Sequence, residues 1–135
     1  MKKVVRERQL QNFDELVLAA RASRTRAYAP YSNYAVGAAV LGSDGEIYKG
    51  CNVENASFGL TICAERNAIA AMVAAGCTSA RAVVVVTSDA GTPCGACRQV
   101  LAEFSGPNAP VVCIGEGSEQ HFTVGELLPS SFKFQ

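Results

Sequence analysis

The sequence predicts an α/β fold in which one sheet is covered by helices. Two continuous apolar runs, at residues 82–87 and 110–114, are rich in β-branched side chains, as is typical of strands buried on both faces. Segments with helical spacing alternate with these runs, which is the order that packs helices against a sheet. We expect the first two strands to form an antiparallel hairpin and the later strands to be parallel, joined by right-handed crossovers.

The N-terminal part begins with a charged, polar segment at residues 1–11, which we interpret as an extension before a single domain at 12–135. From Asn12, a candidate N-cap, the pattern becomes helical. Its apolar positions recur at i, i+3, i+4 and i+7, and they are Phe13, Leu16, Val17 and Ala20. The helix is expected to end before Pro30, because a proline disfavours helical geometry in the residue before it.

A β-hairpin is predicted next, with strands at 35–41 and 47–51. Ser-Asp-Gly at 43–45 is a typical turn between two such strands. A loop then leads to a helix at 62–75, which is apolar on nearly all sides and is therefore expected to be buried. Gly76 is a suitable residue to end that helix.

The second half of the chain alternates between strands and helices. A loop at 88–93 follows the first buried run and precedes a helix at 97–104, whose apolar residues share one side. After the second buried run, the pattern indicates a short edge strand at 120–124 and a final helical turn at 126–128. No internal repeat or linker interrupts this order.

Length, composition and charge restrict the class of protein. A chain of 135 residues, 49% of them hydrophobic, is about one globular domain with a core of its own. A formal net charge of zero argues against a protein that binds nucleic acid through its backbone. The N-terminus lacks the apolar region of a secretory signal and no run of about 20 apolar residues is present, so we expect a cytoplasmic protein without a membrane segment. Six cysteines in that compartment are reduced, which favours metal binding or catalysis.

Three of the cysteines form a pattern suited to one metal ion. Cys94 and Cys97 have the spacing that lets two sulfurs bind the same ion, and Cys63 is the candidate for a third ligand. Each cluster lies at the predicted start of a helix, where the helix dipole favours the thiolate. Three protein ligands leave a fourth position open, as in catalytic zinc sites. Glu65 can act on whatever occupies that position, and Arg66 can offset the charge of three thiolates.

A redox pair is another use of the Cys-x-x-Cys spacing. It would employ Cys94 and Cys97 alone. It would explain neither Cys63 nor the Glu-Arg pair at 65–66, so we rank it below the metal site.

A structural zinc site with four cysteines is a further alternative. Its fourth ligand would have to be Cys51, Cys77 or Cys113. We interpret those three as small apolar residues of the interior. The single histidine, His121, is interpreted as a surface residue of a strand.

Taken together, these motifs resemble a known family. Cys-Ala-Glu-Arg at 63–66 and Pro-Cys-Gly-Ala-Cys-Arg-Gln at 93–99 match the general zinc-deaminase signature, with cysteine in place of its histidine. By these motifs the chain is similar to the small homotetrameric cytidine deaminases of nucleoside salvage. The resemblance covers about residues 16–132 and includes four further motifs: Tyr-Ala-Pro-Tyr-Ser at 28–32, Val-Gly-Ala-Ala at 36–39, Gly-Cys-Asn-Val-Glu-Asn-Ala at 50–56 and Leu-Leu-Pro at 127–129.

The resemblance implies a three-layer α/β/α sandwich with a mixed five-stranded sheet. It also implies one zinc ion (Zn²⁺) per chain and a homotetramer whose active sites are shared between subunits. In the family's arrangement, Cys63, Cys94 and Cys97 would be the zinc ligands. Glu65 would be the catalytic residue that moves protons.

Five residues resemble the family's substrate-binding positions. Asn52 and Glu54 match residues that hydrogen-bond the ribose hydroxyls, and Ala64 matches one whose backbone N–H holds the pyrimidine oxygen. Tyr34 lies near the base, where the family usually has phenylalanine. Phe132 resembles an aromatic residue that reaches the active site of a neighbouring subunit.

The activity implied is zinc-dependent hydrolytic deamination of cytidine and 2′-deoxycytidine. A blasticidin S-type aminonucleoside deaminase is the alternative within the superfamily, ranked second because Asn52 and Glu54 favour a free ribose. An enzyme that edits polynucleotides is disfavoured by the absence of a basic excess. A non-catalytic zinc-binding module is the alternative from a different class.

Overall fold

A computed structural model of the chain describes residues 2–134, apart from the side chains of residues 3–11. Five strands form one sheet in the order β2-β1-β3-β4-β5, so the predicted sheet covered by helices is confirmed. In chain order the elements are α1 (Lys2–Arg24), β1 (Gly37–Gly42), β2 (Ile47–Cys51), α2 (Ala64–Ala74), β3 (Ala80–Val86), α3 (Gly95–Phe104), β4 (Pro110–Ile114), β5 (Glu119–Thr123) and α4 (Val124–Leu127).

The sheet is mixed. β1 and β2 form the predicted antiparallel hairpin, and Gly45 takes a φ of 84° in its turn. β1 is also antiparallel to β3, whereas β3 and β4 are parallel, as expected for strands joined through a helix. β5 is antiparallel to β4, so the prediction of parallel later strands was wrong for this edge strand. Residues 115–118 are too short a connection for a parallel crossover, which needs about a dozen residues or more.

Helices cover both faces of the sheet, which confirms the three-layer architecture. α1 packs on one face, where Leu16 and Ala20 contact the side chains of Ala39 and Leu41 in β1. The other helices pack on the opposite face, against a cluster that includes Val40. Alternate residues of β1 therefore point into two separate cores. Within residues 2–134, no helix has both the length and the apolar character needed to cross a membrane.

Two glycines allow helices to approach the hairpin closely. A Cβ atom at Gly37 would overlap the backbone of α1 at Ala20. A Cβ atom at Gly50 would lie 2.6 Å from the backbone oxygen of Ala64, in the first turn of α2. The start of α2 is therefore held directly against β2, and this contact positions the residues that precede α2.

The first helix begins earlier than predicted. It starts at Lys2, so Asn12 lies inside α1 and its prediction as an N-cap was wrong. Residues 2–11 contain neither glycine nor proline and are rich in good helix formers, so nothing in them ends the helix. The helix ends at Arg24, ahead of Pro30 as expected. The division into an extension at 1–11 and a domain at 12–135 stays a prediction.

Candidate active site and metal centre

The N-termini of two neighbouring helices bring the three cysteines together. Cys63 is the residue that caps α2, and Cys94 is the one that caps α3; both have extended backbones. Cys97 lies in the first turn of α3 and is fully buried. The sulfur atoms of the three residues all lie within 4.8 Å of one another. The pattern therefore forms one cluster in three dimensions, as the sequence predicted.

The cluster has the dimensions of a zinc site. Cys63 Sγ and Cys94 Sγ are 3.9 Å apart. Two sulfurs bound tetrahedrally to one zinc at about 2.3 Å each would be about 3.8 Å apart, whereas a disulfide requires about 2.05 Å. Three thiol donors at this spacing suit zinc, and they could hold one ion.

The remaining cysteines and the histidine lie elsewhere. Among the side chains that the structure describes, which include all six cysteines, the only group of three or more potential metal ligands is the cluster of Cys63 and its two partners, so no fourth cysteine ligand is supplied there. Cys77 and Cys113 are buried in the core, in agreement with their prediction as interior residues. Cys51 is half-buried in β2. His121 is exposed on β5, with its Nε2 2.7 Å from Glu119, as expected for a surface strand.

Arg66 lies beside the cluster. Its Nη2 is 3.7 Å from Cys63 Sγ and donates to the backbone oxygen of Thr61 at 3.2 Å. A hydrogen bond from the Cys97 thiol, together with Arg66, lowers the pKa of Cys63 to about 5. The pKa of Cys97 is raised, because its proton is held by the Cys63 sulfur and because the group is buried. Arg66 thus places a positive charge beside the Cys63 sulfur.

Glu65 is a buried carboxyl group next to the metal cluster. It is 5% exposed, and this burial raises its pKa above the ordinary value. It lines a cavity of about 190 Å³ together with Cys63 and Cys94. Ala64 lines the same cavity and is the first residue of α2, so its N–H has no partner within the helix. The lining of the cavity therefore combines two of the clustered cysteines, a carboxyl group and the first residue of a helix.

Asn52 and Tyr34 line the walls of this cavity. The Asn52 side chain is only 7% exposed and already has two backbone partners. Its Nδ2 donates to the Tyr34 carbonyl at 2.8 Å, and its Oδ1 accepts from the Val36 N–H at 2.9 Å. Asn52 therefore braces the segment before β1, and it also faces the cavity.

Glu54 lies in an adjacent depression and not in the cavity itself. Its carboxylate accepts hydrogen bonds from the N–H of Tyr31 at 2.9 Å and from the hydroxyl of Ser32. Ser32, Tyr31, Glu54 and Phe58 line this depression with Thr61, which also lines the cavity. Thr61 therefore forms part of the wall of both spaces.

Phe132 lies apart from both spaces within this chain. Its ring is exposed, at 73% of its surface. The Gln99 side chain holds its backbone from both sides: Nε2 donates to the Phe132 oxygen at 3.0 Å, and Oε1 accepts from the Phe132 N–H at 3.1 Å. The protein therefore presents this aromatic side chain to the outside on a fixed backbone.

Several residues of the cavity wall were not named individually from the sequence. Thr87, Gly91 and Thr92 line the cavity, and all three follow the last residue of β3. Asp89, in the same loop, accepts a hydrogen bond from the Tyr34 hydroxyl at 2.6 Å, which lowers the pKa of Asp89. These residues belong to no motif; their one signal was their place between a buried strand and the Cys-x-x-Cys segment.

Comparisons with known proteins agree with this geometry. A family model described as "Cytidine and deoxycytidylate deaminase zinc-binding region" matches residues 10–114. The cytidine deaminase of Sporosarcina psychrophila is 44% identical over 122 residues, which cover 88% of this chain and 90% of that protein. The cytidine deaminase of Halalkalibacterium halodurans is 46% identical over 121 residues, which cover 87% of this chain and 91% of that protein.

Solved structures agree as well. The 1.6 Å crystal structure of cytidine deaminase from Burkholderia pseudomallei matches with a TM-score of 0.83 and 47% sequence identity, over 88% of this chain and 98% of that one. The crystal structure of cytidine deaminase from Mycobacterium leprae matches with a TM-score of 0.76 and 43% identity, over 88% and 98% of the two chains.

Proposed function

Because this chain belongs to the cytidine and deoxycytidylate deaminase family, we propose that it hydrolyses cytidine and 2′-deoxycytidine to uridine and 2′-deoxyuridine, with release of ammonia. The observation that carries the proposal is the buried Glu65 carboxyl group beside the cluster of three cysteines. A redox pair or a structural metal site would have no use for that carboxyl group.

We assign Cys63, Cys94 and Cys97 as the ligands of one zinc ion per chain. When bound, zinc makes a water molecule acidic enough to act as a nucleophile near neutral pH. Three thiolates give the site a net negative charge, which opposes that effect. The guanidinium of Arg66, 3.7 Å from Cys63 Sγ, offsets part of this charge.

Glu65 moves two protons in the proposed reaction. Its carboxylate takes a proton from the attacking water and delivers it to N3 of the cytosine ring, while a C–O bond forms at C4. It then takes the second proton of that water from the new hydroxyl group on C4 and transfers it to the exocyclic amino group; the C–N bond breaks, ammonia leaves and a carbonyl group remains at C4. General acid–base catalysis of this kind contributes typically about 10²–10⁴-fold to the rate.

The cavity orients the nucleoside for these transfers. The free N–H of Ala64 is assigned to the pyrimidine oxygen, and Tyr34 to the side of the base. Asn52 and Glu54 are assigned to the ribose hydroxyls. Asn52 has one Nδ2 hydrogen and one Oδ1 lone pair beyond its two backbone bonds. Glu54 would reach the ribose from its depression, which shares Thr61 with the cavity.

Replacing Glu65 with glutamine tests the function directly. The amide is nearly the same size but cannot carry a proton, so we expect zinc content to stay at one per chain and turnover of cytidine to fall by at least about 10²-fold. Zinc would be measured by elemental analysis and turnover by the loss of cytidine absorbance. A Glu65→Gln enzyme with wild-type activity would refute the mechanism.

A substrate screen separates the candidate functions. Cytidine, 2′-deoxycytidine and blasticidin S would be compared on the zinc-loaded protein. The two relatives compared above are cytidine deaminases, which favours the first two substrates over the third. Zinc binding without turnover of any of them would point to a non-catalytic zinc module.

We further propose a homotetramer in which Phe132 enters the active site of a neighbouring subunit. An exposed apolar surface supports self-association. Its members come from three neighbouring segments and are Tyr28, Tyr31, Val53, Phe58, Leu60 and Ile62. The fixed backbone of Phe132 and its exposed ring support the sharing of sites.

Light scattering on the purified protein would give its oligomeric state. Phe132→Ala should leave that state unchanged and raise KM for cytidine, because the ring would be missing from the neighbouring site. A monomeric wild-type protein would refute the shared site.

The cellular setting of the proposed function is pyrimidine salvage in the cytoplasm. Thiolates that bind zinc must remain reduced, which favours a reducing compartment. Free nucleosides are the proposed substrates and not nucleic acids, which agrees with the formal net charge of zero.

A further inference from the structure

A hydrogen-bonded contact between two loops closes one side of the cavity. The Tyr34 hydroxyl, from the segment before β1, donates to Asp89 Oδ1 at 2.6 Å in the loop after β3. The same oxygen accepts from the Gly91 N–H at 3.0 Å and from the Thr87 hydroxyl at 3.2 Å. One carboxylate oxygen therefore receives three donors and joins segments that are 55 positions apart in the chain.

The contact involves the cavity wall on both sides. Tyr34, Thr87 and Gly91 line the cavity, and Asp89 lies behind them as their common acceptor. Thr87 is 2% exposed, and its hydroxyl also accepts from the Gly91 N–H at 3.0 Å. The loop that carries Asp89 and Gly91 continues to Cys94. Asp89 is thus placed to hold the position of the Tyr34 ring relative to the loop that leads to the metal cluster.

Gly91 fits this contact closely. A Cβ atom at this position would overlap the Tyr34 hydroxyl oxygen and lie 3.2 Å from Asp89 Oδ1. Its backbone is outside the left-handed region, so alanine would be tolerated by the backbone itself. The hydroxyl of Tyr34 is therefore the group that excludes a side chain at position 91.

We propose that Asp89 is a positioning residue for nucleoside binding, which acts by holding the Tyr34 hydroxyl against the Thr87–Gly91 wall of the cavity. The inference rests on the proposed function, since the ligand concerned is the nucleoside. The ligand would contact Tyr34, and the hydrogen bond to Asp89 fixes the position of the Tyr34 side chain.

The contact predicts a defined pattern of kinetic effects. Asp89→Ala removes the acceptor, and Tyr34→Phe removes the donor. Each should raise KM for cytidine roughly two- to tenfold, the range expected for one hydrogen bond, with kcat changed by less than about twofold. The double variant should be no worse than either single one, because both remove the same bond. Asp89→Asn retains an acceptor oxygen and should keep KM close to that of the wild type.

A second pair of variants tests the geometry independently. Gly91→Ala should lower the melting temperature and raise KM, because its methyl group displaces the Tyr34 ring. Adding Tyr34→Phe removes the overlapping oxygen and should recover most of the lost melting temperature. The melting temperature is measured without substrate, so this test does not depend on the proposed activity.

Tyr48→Phe is the matched control. Tyr48 also donates its hydroxyl to an aspartate, Asp44, but does so in the β1–β2 hairpin, and neither residue lines the cavity. If KM merely followed general stability, this variant would alter KM as Tyr34→Phe does. We expect it to leave KM unchanged.

Three results would overturn the proposal. They are an unchanged KM in Asp89→Ala, additive effects in the double variant, and no recovery of Gly91→Ala by Tyr34→Phe. A wild-type protein that binds zinc but does not turn over cytidine would instead refute the proposed function. In that case the melting temperatures of Gly91→Ala with and without Tyr34→Phe would be the remaining test of the contact between Tyr34 and the 87–91 loop.

Discussion

Replacement of Asn52 by alanine is expected to destabilise the fold, beyond any effect on ligand binding. The Asn52 side chain is nearly buried and links two backbone groups of the segment before β1. It accepts from the Val36 N–H at 2.9 Å and donates to the Tyr34 carbonyl at 2.8 Å. Alanine would leave both groups without a partner in a partly buried place.

The magnitude follows from these two bonds. A buried donor or acceptor that loses its partner costs about 1–3 kcal/mol, so two of them give about 2–6 kcal/mol. Asn67→Ala is the matched control, because the Asn67 side chain makes one such bond, to the Cys51 carbonyl at 2.8 Å. Its cost should be about half as large, about 1–3 kcal/mol.

Urea denaturation of the wild type and both variants would measure the free energy of unfolding. Asn52→Asp adds information, since a carboxylate can accept from Val36 but cannot donate to Tyr34; it should recover at most part of the loss. The reasoning is refuted if Asn52→Ala unfolds within about 0.5 kcal/mol of the wild type, which is the usual effect of a surface substitution. If Asn52→Ala then raised only the KM, Asn52 would contribute to ligand binding and not to stability.

Three further predictions concern the metal cluster, the core and pH. Cys94→Ala should lose nearly all zinc by elemental analysis and melt at a lower temperature, because metal-binding energy also stabilises the fold; Cys51→Ala should keep its zinc. Leu101 is 1% exposed, so Leu101→Ala should lower the free energy of unfolding by about 2–5 kcal/mol, as measured by urea denaturation. The hydrogen bond from the Tyr48 hydroxyl to Asp44 lowers the pKa of Asp44 from its ordinary value of 3.8. The same bond raises the pKa of Tyr48 from 10.0 to about 12. The stability lost in Tyr48→Phe should therefore be constant near neutral pH, and the difference from the wild type should shrink below pH 3.8 and above pH 10. A difference that stays the same at both extremes would contradict this assignment.

The elements that were predicted well are those whose signal is local. The valine-rich run before residue 87 predicts a buried strand, and the apolar stripe of residues 97–104 predicts α3. The start of α1 was misplaced because Asn12 resembles a cap, yet the residues before it also favour a helix. The direction of β5 was misjudged because direction depends on the length of the preceding connection and not on the strand's own residues.

The candidate site divides in the same way. The Cys-x-x-Cys spacing, the third cysteine and the neighbouring glutamate are sufficient to predict a metal cluster with a buried acid beside it. Asn52 was predicted only as a ligand contact, and its role as a backbone brace depends on Val36, which no motif connects to it. No motif pointed to Asp89, because its partner Tyr34 is remote in the chain.

By itself, the sequence determined the fold class and the placement of the cysteines at the starts of two helices, and it predicted Glu65 as the residue that moves protons, because these inferences depend on residue type and short spacing. The tertiary structure alone decided which residues meet across loops: the brace at Asn52, the clamp of Gln99 on Phe132, and the contact of Asp89 with Tyr34. Such contacts depend on how β1, β3 and the helices pack, and an exposed aspartate or tyrosine has the same local pattern whether or not a partner lies opposite it.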